Sequence, residues 1–143
     1  MADTMQFDLV SPERRLASFQ VASVQIPGAE GDLTAMKDHA PLITTMRPGV
    51  LTVQGPNGED KYVVTGGFAE IGTEGTIILA EQAVAVQDMT EDLYHEMVRN
   101  AHAAHAKARE TNQDDPGFVD DAAKLLADMV AMGGHIGISP PSL

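Results

Sequence analysis

From Met5 to Val86, glycines and prolines recur so closely that no apolar stretch between them is long enough for an independent helix. The segments left between them read as strands: Met5–Val10, Ala17–Ile26, Asp32–Met36, Leu42–Met46, Val50–Gln54, Lys61–Thr65, Phe68–Gly72, Thr76–Ala80 and Ala83–Gln87. Many short strands at this spacing predict a β sandwich or flattened barrel. In the second segment Phe19 and Val21 share one face while Val24 and Ile26 share the other, because side chains alternate with a period of two. A bulge near Ala22-Ser23 is expected to reconcile them. Gly55-Pro56-Asn57-Gly58 reads as a hairpin loop, and Gly66-Gly67, which leads into a strand, as a strand-to-strand turn. Leu79 is expected to point into the core.

The pattern changes at Asp88-Met89-Thr90-Glu91, where a capping residue and an acidic first turn precede a helical repeat. Leu93, Met97, Ala101, Ala104 and Ala108 recur every three or four residues and define one stripe. Asn112 to Gly117 breaks the helix, with Asp115 as the candidate cap and Pro116 as a natural first helical residue. Val119, Ala123, Leu126, Val130 and Gly133 give a second helix its own stripe, so the two are expected to bury each other as an antiparallel hairpin. Gly133-Gly134 is expected to stop the second helix. The expected organisation is therefore a β domain over 1–87, a helical hairpin over 88–134 and a mobile tail over 135–143.

Composition narrows the function. The chain has 143 residues, enough for one cored domain and an appendage. Aromatics are 4% and Trp is absent, so the core must be built from Val, Ile, Leu, Ala and Met. A formal net charge of -12 argues against nucleic acid and against direct adsorption to anionic lipid. Without cysteine there are no disulfides, no thiolate chemistry and no Cys-ligated zinc. No apolar run approaches the roughly 20 residues of a membrane span, and the N-terminus lacks the basic and apolar regions of a signal peptide. A soluble cytoplasmic protein is expected, with membrane association only through a protein partner.

No catalytic constellation is visible. His95, His102 and His105 fall within about an 80° arc of the first helix at 100° per residue, but on the side away from its packing stripe. A solvated face explains them better than a metal site, which needs a closed environment and supporting partners. Asp114-Asp115 and Asp120-Asp121 lack calcium-loop spacing and suit helix caps and first turns. No Gly-x-x-x-x-Gly-Lys cradle occurs, and Ser11, Ser18, Ser23, Ser139 and Ser142 sit on no nucleophile elbow. Glu30 and Asp32 flank Gly31 in what should be an exposed turn, a poor setting for acid–base work. No catalytic residue, cofactor or metal is expected, which favours a mechanical or binding role.

Three motifs, taken together, carry a family resemblance: His39-Ala40-Pro41-Leu42, Pro48-Gly49 and Gly67-Phe68-Ala69-Glu70-Ile71. In this order they resemble the β domain of the ε subunit of bacterial-type rotary F-type ATP synthase, called δ in mitochondria. The resemblance covers Met5 to Val86 closely and the tail in outline. It implies a ten-stranded β sandwich followed by two helices, in a central-stalk subunit that does no chemistry. Such a β domain grips the shaft subunit γ and rests on the polar loops of the membrane ring of c subunits, while the hairpin of some members reaches the α/β catalytic head. Glu30-Gly31-Asp32 match the ring-contacting loop and His39 the shaft-proximal histidine. Carboxylates on a turn suit basic ring loops, where charge complementarity chiefly sets orientation. The implied location is the cytoplasmic face of the bacterial inner membrane, reached through the complex.

The tail departs from members whose hairpin binds ATP through Asp-x-x-Arg-Ala. Arg99 is followed by Asn100, and position 96 is Glu rather than Asp. From Asp88 to Leu143 only Arg99, Lys107, Arg109 and Lys124 are basic, against ten Asp and Glu. Weak regulation of ATP hydrolysis is therefore expected at most, with Glu96 and Glu110 answering some of the cations. The alternative from another class is a free-standing β-sandwich adaptor or small-ligand sensor with a mobile hairpin. Co-purification with γ and the c ring separates the two.

Overall fold

Short strands that cannot bury a face alone must stack, and here they form one twisted ribbon. The computed structural model describes residues 4–111 and 116–141, and the chain divides after Gln87 into two compact units. The first unit holds β1 (Met5–Val10), β2 (Arg15–Val21), β3 (Ser23–Gly28), β4 (Gly31–Met36), β5 (Leu42–Met46), β6 (Gly49–Gly55), β7 (Gly58–Val64), β8 (Gly67–Ile71), β9 (Gly75–Ala80) and β10 (Ala83–Ala85). They pair in the order β10-β7-β6-β3-β5-β8-β9-β1-β2, with β4 off this path against β3. β1 and β9 run parallel, and the other pairs are antiparallel. The nearly closed ribbon encloses an aliphatic core that includes Leu9, Val24, Ile26, Leu51, Val53 and Ile78. Phe7 and Phe19 meet edge to face inside it, with centroids 5.7 Å apart.

Two expectations about this unit change. Ala17–Ile26 is not one bulged strand but two strands, β2 and β3, broken at Ala22. Val21 and Val24 are both fully buried, yet three residues apart on one strand they would face opposite sides. The break resolves this by letting the chain leave β1 and join β4 and β6, and the Ala22 N–H is satisfied by the Gln54 carbonyl at 2.7 Å. Leu79 is exposed, whereas Ile78 beside it is fully buried. Gly67 permits β8 to approach β9: its φ is +128°, and a Cβ there would lie 2.0 Å from the Leu79 carbonyl oxygen.

The second unit holds α1 (Glu91–Thr111) and α2 (Pro116–Ile136), which pack on each other. Thr90 caps α1, its Oγ1 accepting from the Leu93 N–H at 3.1 Å. The buried stripe of α1 is Tyr94, Met97, Val98, Ala101 and Ala108, so it lies beside the expected one. Leu93 is only half-buried and Ala104 is exposed. On α2 the buried residues among those described are Met129, Met132 and Gly133, with Val119, Ala123, Leu126 and Val130 half-buried. The helix runs through Gly133-Gly134 and ends two residues later at Ile136; Gly137 follows, and its φ of +75° with the Ile138 N–H to Gly133 carbonyl bond of 2.9 Å makes a Schellman cap. Of the break expected over Asn112 to Gly117, residues 112–115, with Asp114 and the Asp115 cap, lie outside the described residues, as does Ser142, while Pro116 is the first residue of α2 as expected.

Candidate functional site

Two surfaces of the β unit combine accessibility with unusual chemistry. The first is the outer face of β5, β8, β9 and β1. In an antiparallel sandwich this face is normally polar, but it exposes Ile43 at 71%, Phe68 at 54%, Leu79 at 47% and Ile77 at 39%. The register makes them neighbours: Phe68 stands opposite Leu79, and Glu70 stands between Ile43 and Ile77. β1 continues the rows with Val10 beside Leu79 and Asp8 beside Ile77. A shallow groove of ≈ 320 Å³, lined among others by Val10, Pro12, Phe68 and Leu79, opens at the same edge. Side chains of this size left in water on one sheet face form a patch fit for a protein partner.

The second surface is the β3–β4 hairpin. Gly28 pairs with Gly31 across the turn residues Ala29 and Glu30, and Gly31 adopts a φ of +139°. Glu30 and Asp32 are both exposed. Their surroundings differ. Asp32 accepts a hydrogen bond from the guanidinium of Arg47, which also donates to the Gly28 carbonyl. Glu30, at the tip, has no ion-pair partner among the described residues. Asp60 is exposed on β7, beside the Lys61–Glu59 pair.

His39 lies in the loop after β4, at the other end of that strand from Glu30. Its ring Nδ1 donates to the Ala40 carbonyl at 2.6 Å. The loop leans on the β8–β9 turn through Asp38 N–H to Thr73 carbonyl, 3.1 Å, and Asp38 holds a φ of +66°. Glu30, Gly31 and Asp32 are thus brought together, and His39 is not among them.

Within the helical unit the three histidines do not converge. His95 is half-buried and its Nε2 donates to the Ser139 carbonyl at 2.9 Å, with Glu91 at 3.8 Å. The segment after α2 thus makes a hydrogen bond to α1 at Ser139. His102 is exposed, and no group of three metal-ligating side chains occurs among the described residues. Tyr94 is fully buried, with its hydroxyl 3.1 and 3.0 Å from the Met129 and Val130 carbonyls. Burial raises its phenol above the ordinary 10.0, opposed by a hydrogen bond with the Gly133 backbone. Lys124 pairs with Asp128 at 2.8 Å, and among the described residues neither Glu96 nor Glu110 forms an ion pair. No described helix is long and apolar enough to cross a membrane.

A ten-stranded β unit followed by a helical pair, with an apolar outer face and an acidic hairpin, defines a binding subunit. Residues 4–86 match the family model described as ATP synthase, Delta/Epsilon chain, beta-sandwich domain. The ATP synthase epsilon chain of Ruegeria sp. (strain TM1040) is 55% identical over 138 residues, covering 96% of this chain and 100% of that one. The epsilon chain of Paracoccus denitrificans (strain Pd 1222) is 50% identical over 141 residues, covering 98% and 95%. A chain in the cryo-EM structure of the Euglena gracilis mitochondrial ATP synthase, OSCP/F1/c-ring in rotational state 1, shares the fold with a TM-score of 0.69 at 20% identity, over 94% of this chain and 82% of that one. The chain belongs to the ATP synthase delta/epsilon family.

Proposed function

We propose that this chain is a non-catalytic rotor subunit of a proton-translocating F-type ATP synthase, joining the shaft subunit γ to the ring of c subunits. Family membership along nearly the whole chain supports this reading over a free-standing adaptor or sensor. The observation that carries the gripping role is the apolar face through Ile43, Phe68, Ile77 and Leu79. A rotating contact has to survive torque, and large apolar side chains in a desolvated patch supply most of the binding energy at such interfaces. Glu30 at the hairpin tip is the carboxylate offered to basic ring loops, where its charge sets orientation. His39, in the loop beside the β8–β9 turn, is assigned to the γ side. The complex holds the chain at the cytoplasmic face of the bacterial inner membrane, without a membrane segment of its own.

The acidic helical pair regulates hydrolysis weakly. Insertion into a catalytic head requires contacts that compensate for those lost on leaving the resting position, and a mostly acidic surface brings few. The test is affinity capture of tagged full-length chain from mildly solubilised membranes of the cells that make it. Recovery of γ and the c subunit with the chain is the expected result. Recovery of the chain without either removes the rotor assignment.

A further inference from the structure

The β3–β4 hairpin is tied near its tip to a neighbouring turn, and one side chain of that turn spans both of its legs. Among the described residues β4 pairs only with β3, so the outer leg of the hairpin has no ladder on its far side and is held there by Ala35 in the core and Leu33 packed against it. Arg47, in the connection between β5 and β6, reaches across. Its guanidinium donates to the Gly28 carbonyl at the base of the turn and to the Asp32 carboxylate on the outer leg, a use of the planar fork that a lysine point charge does not reproduce. Its backbone N–H donates to the Pro27 carbonyl at 3.0 Å, and the Ala29 N–H donates to the Thr45 carbonyl at 2.9 Å.

The base of this arrangement is stiff. Pro27, Gly28, Pro48 and Gly49 are all buried, and a Cβ on Gly49 would lie 2.8 Å from the Pro27 Cβ. The Arg47 and Asp32 side chains retain 28% and 54% exposure, so the pair contributes little to global stability. Its consequence is geometric, fixing where the tip points.

Resting on the rotor reading above, we infer that Arg47 and Asp32 form an internal brace that sets the pose of the hairpin, leaving Glu30 as the carboxylate that meets the ring. Arg47 is then a positioning residue for coupling, and Asp32 acts through Arg47 and not through a ring contact of its own. A charge-swapped pair restores the ion pair, though not the bond to the Gly28 carbonyl, which a carboxylate at position 47 cannot make, so it should recover part of what either single change loses. An Asp32 that touched basic ring loops directly could not be replaced by Arg.

The experiment uses the complete complex, with full-length chain, in inverted membrane vesicles. It reads proton pumping per ATP hydrolysed, a ratio that a loss of assembled complex alone leaves unchanged. Asp32→Arg and Arg47→Glu are each expected to lower the ratio about threefold. The double variant is expected to be clearly less impaired than either single variant, within about twofold of the native value, the coupling that a double-mutant cycle reads, and Arg47→Lys is expected to fall between the native chain and Arg47→Glu. Glu30→Lys lowers the ratio with the brace intact. In parallel, amide exchange of the free chain at Ala29 and Arg47 should accelerate in the two single brace variants and recover in the double, which keeps the test available if a single variant assembles poorly. A double variant as impaired as Asp32→Arg, or single variants that leave the ratio unchanged, overturns the brace. If Glu30→Lys alone is impaired, only the brace fails. If no hairpin variant, Glu30→Lys included, alters the ratio while γ still co-purifies, the ring contact itself fails with it.

Discussion

At the scale of single residues, β9 shows how the same side-chain chemistry divides between core and interface. Ile77, Ile78 and Leu79 are consecutive and equally apolar, yet Ile78 is fully buried while its neighbours face water. Period-two alternation identifies a core face only when the other face is polar. Here both are apolar, and the inward choice of Leu79 had no signal to correct it. The doubly apolar run was itself the clue, because a sandwich strand needs only one buried face. Truncation separates the two roles. Ile78→Ala should destabilise the chain by about 2–5 kcal/mol in urea denaturation, whereas Leu79→Ala should change stability by less than about 1 kcal/mol. Equal losses would place Leu79 in a packed environment and remove it from the binding face. Glu30 was legible as a turn carboxylate from its place beside Gly31. The engagement of Asp32 was not, because Arg47 lies fifteen positions away and only the fold brings the two together.

At the scale of elements, strands bounded by glycine and proline were readable in place, as nine segments for ten strands, and their ends moved by up to three residues. The error in the second segment came from treating an incompatible facing of Val21 and Val24 as a local bulge, when the ribbon uses it to turn a corner. The helices were readable as elements, but their faces were not. Tyr94, fully buried, was absent from the expected stripe because its aromatic ring carries a hydroxyl that looks solvent-seeking until the Met129 and Val130 carbonyls are placed opposite it. Gly133 was read both as the last position of the apolar stripe and as part of a helix stop, and of the two it is the packing role that the structure shows. A Cβ there would fall 2.2 Å from the Tyr94 hydroxyl oxygen and 2.6 Å from the Ile138 carbonyl oxygen, whereas at Gly134 nothing lies within 4 Å. Gly133→Ala should therefore destabilise the helical pair by about 1–3 kcal/mol through overpacking. Gly134→Ala should stabilise it by up to about 1 kcal/mol through helix propensity. Thermal melts of both variants, followed by circular dichroism, check the contrast. Matching effects in the two would mean that Tyr94 does not pack against Gly133.

At the scale of the whole molecule, the composition points to a subunit that works by contact. The net charge of -12 argues against nucleic-acid binding and the absence of cysteine removes thiolate chemistry, and family membership supplies the assembly in which contact has a purpose. Deleting 88–143 should leave assembly intact and raise ATP hydrolysis by less than about tenfold, equivalent to about 1.4 kcal/mol, in reconstituted complexes free of any separate inhibitor protein. Greater activation would mean that the hairpin inhibits strongly despite its acidic surface. The central claim is that the outer face of β5, β8, β9 and β1 grips the shaft, and the affinity of full-length chain for purified γ tests it most directly. Phe68→Asp should weaken binding by at least about tenfold with the fold intact by circular dichroism, while Gln25→Asp, exposed on β3, should bind as the native chain does. Native affinity in Phe68→Asp, or an equal loss in both variants, would contradict the account.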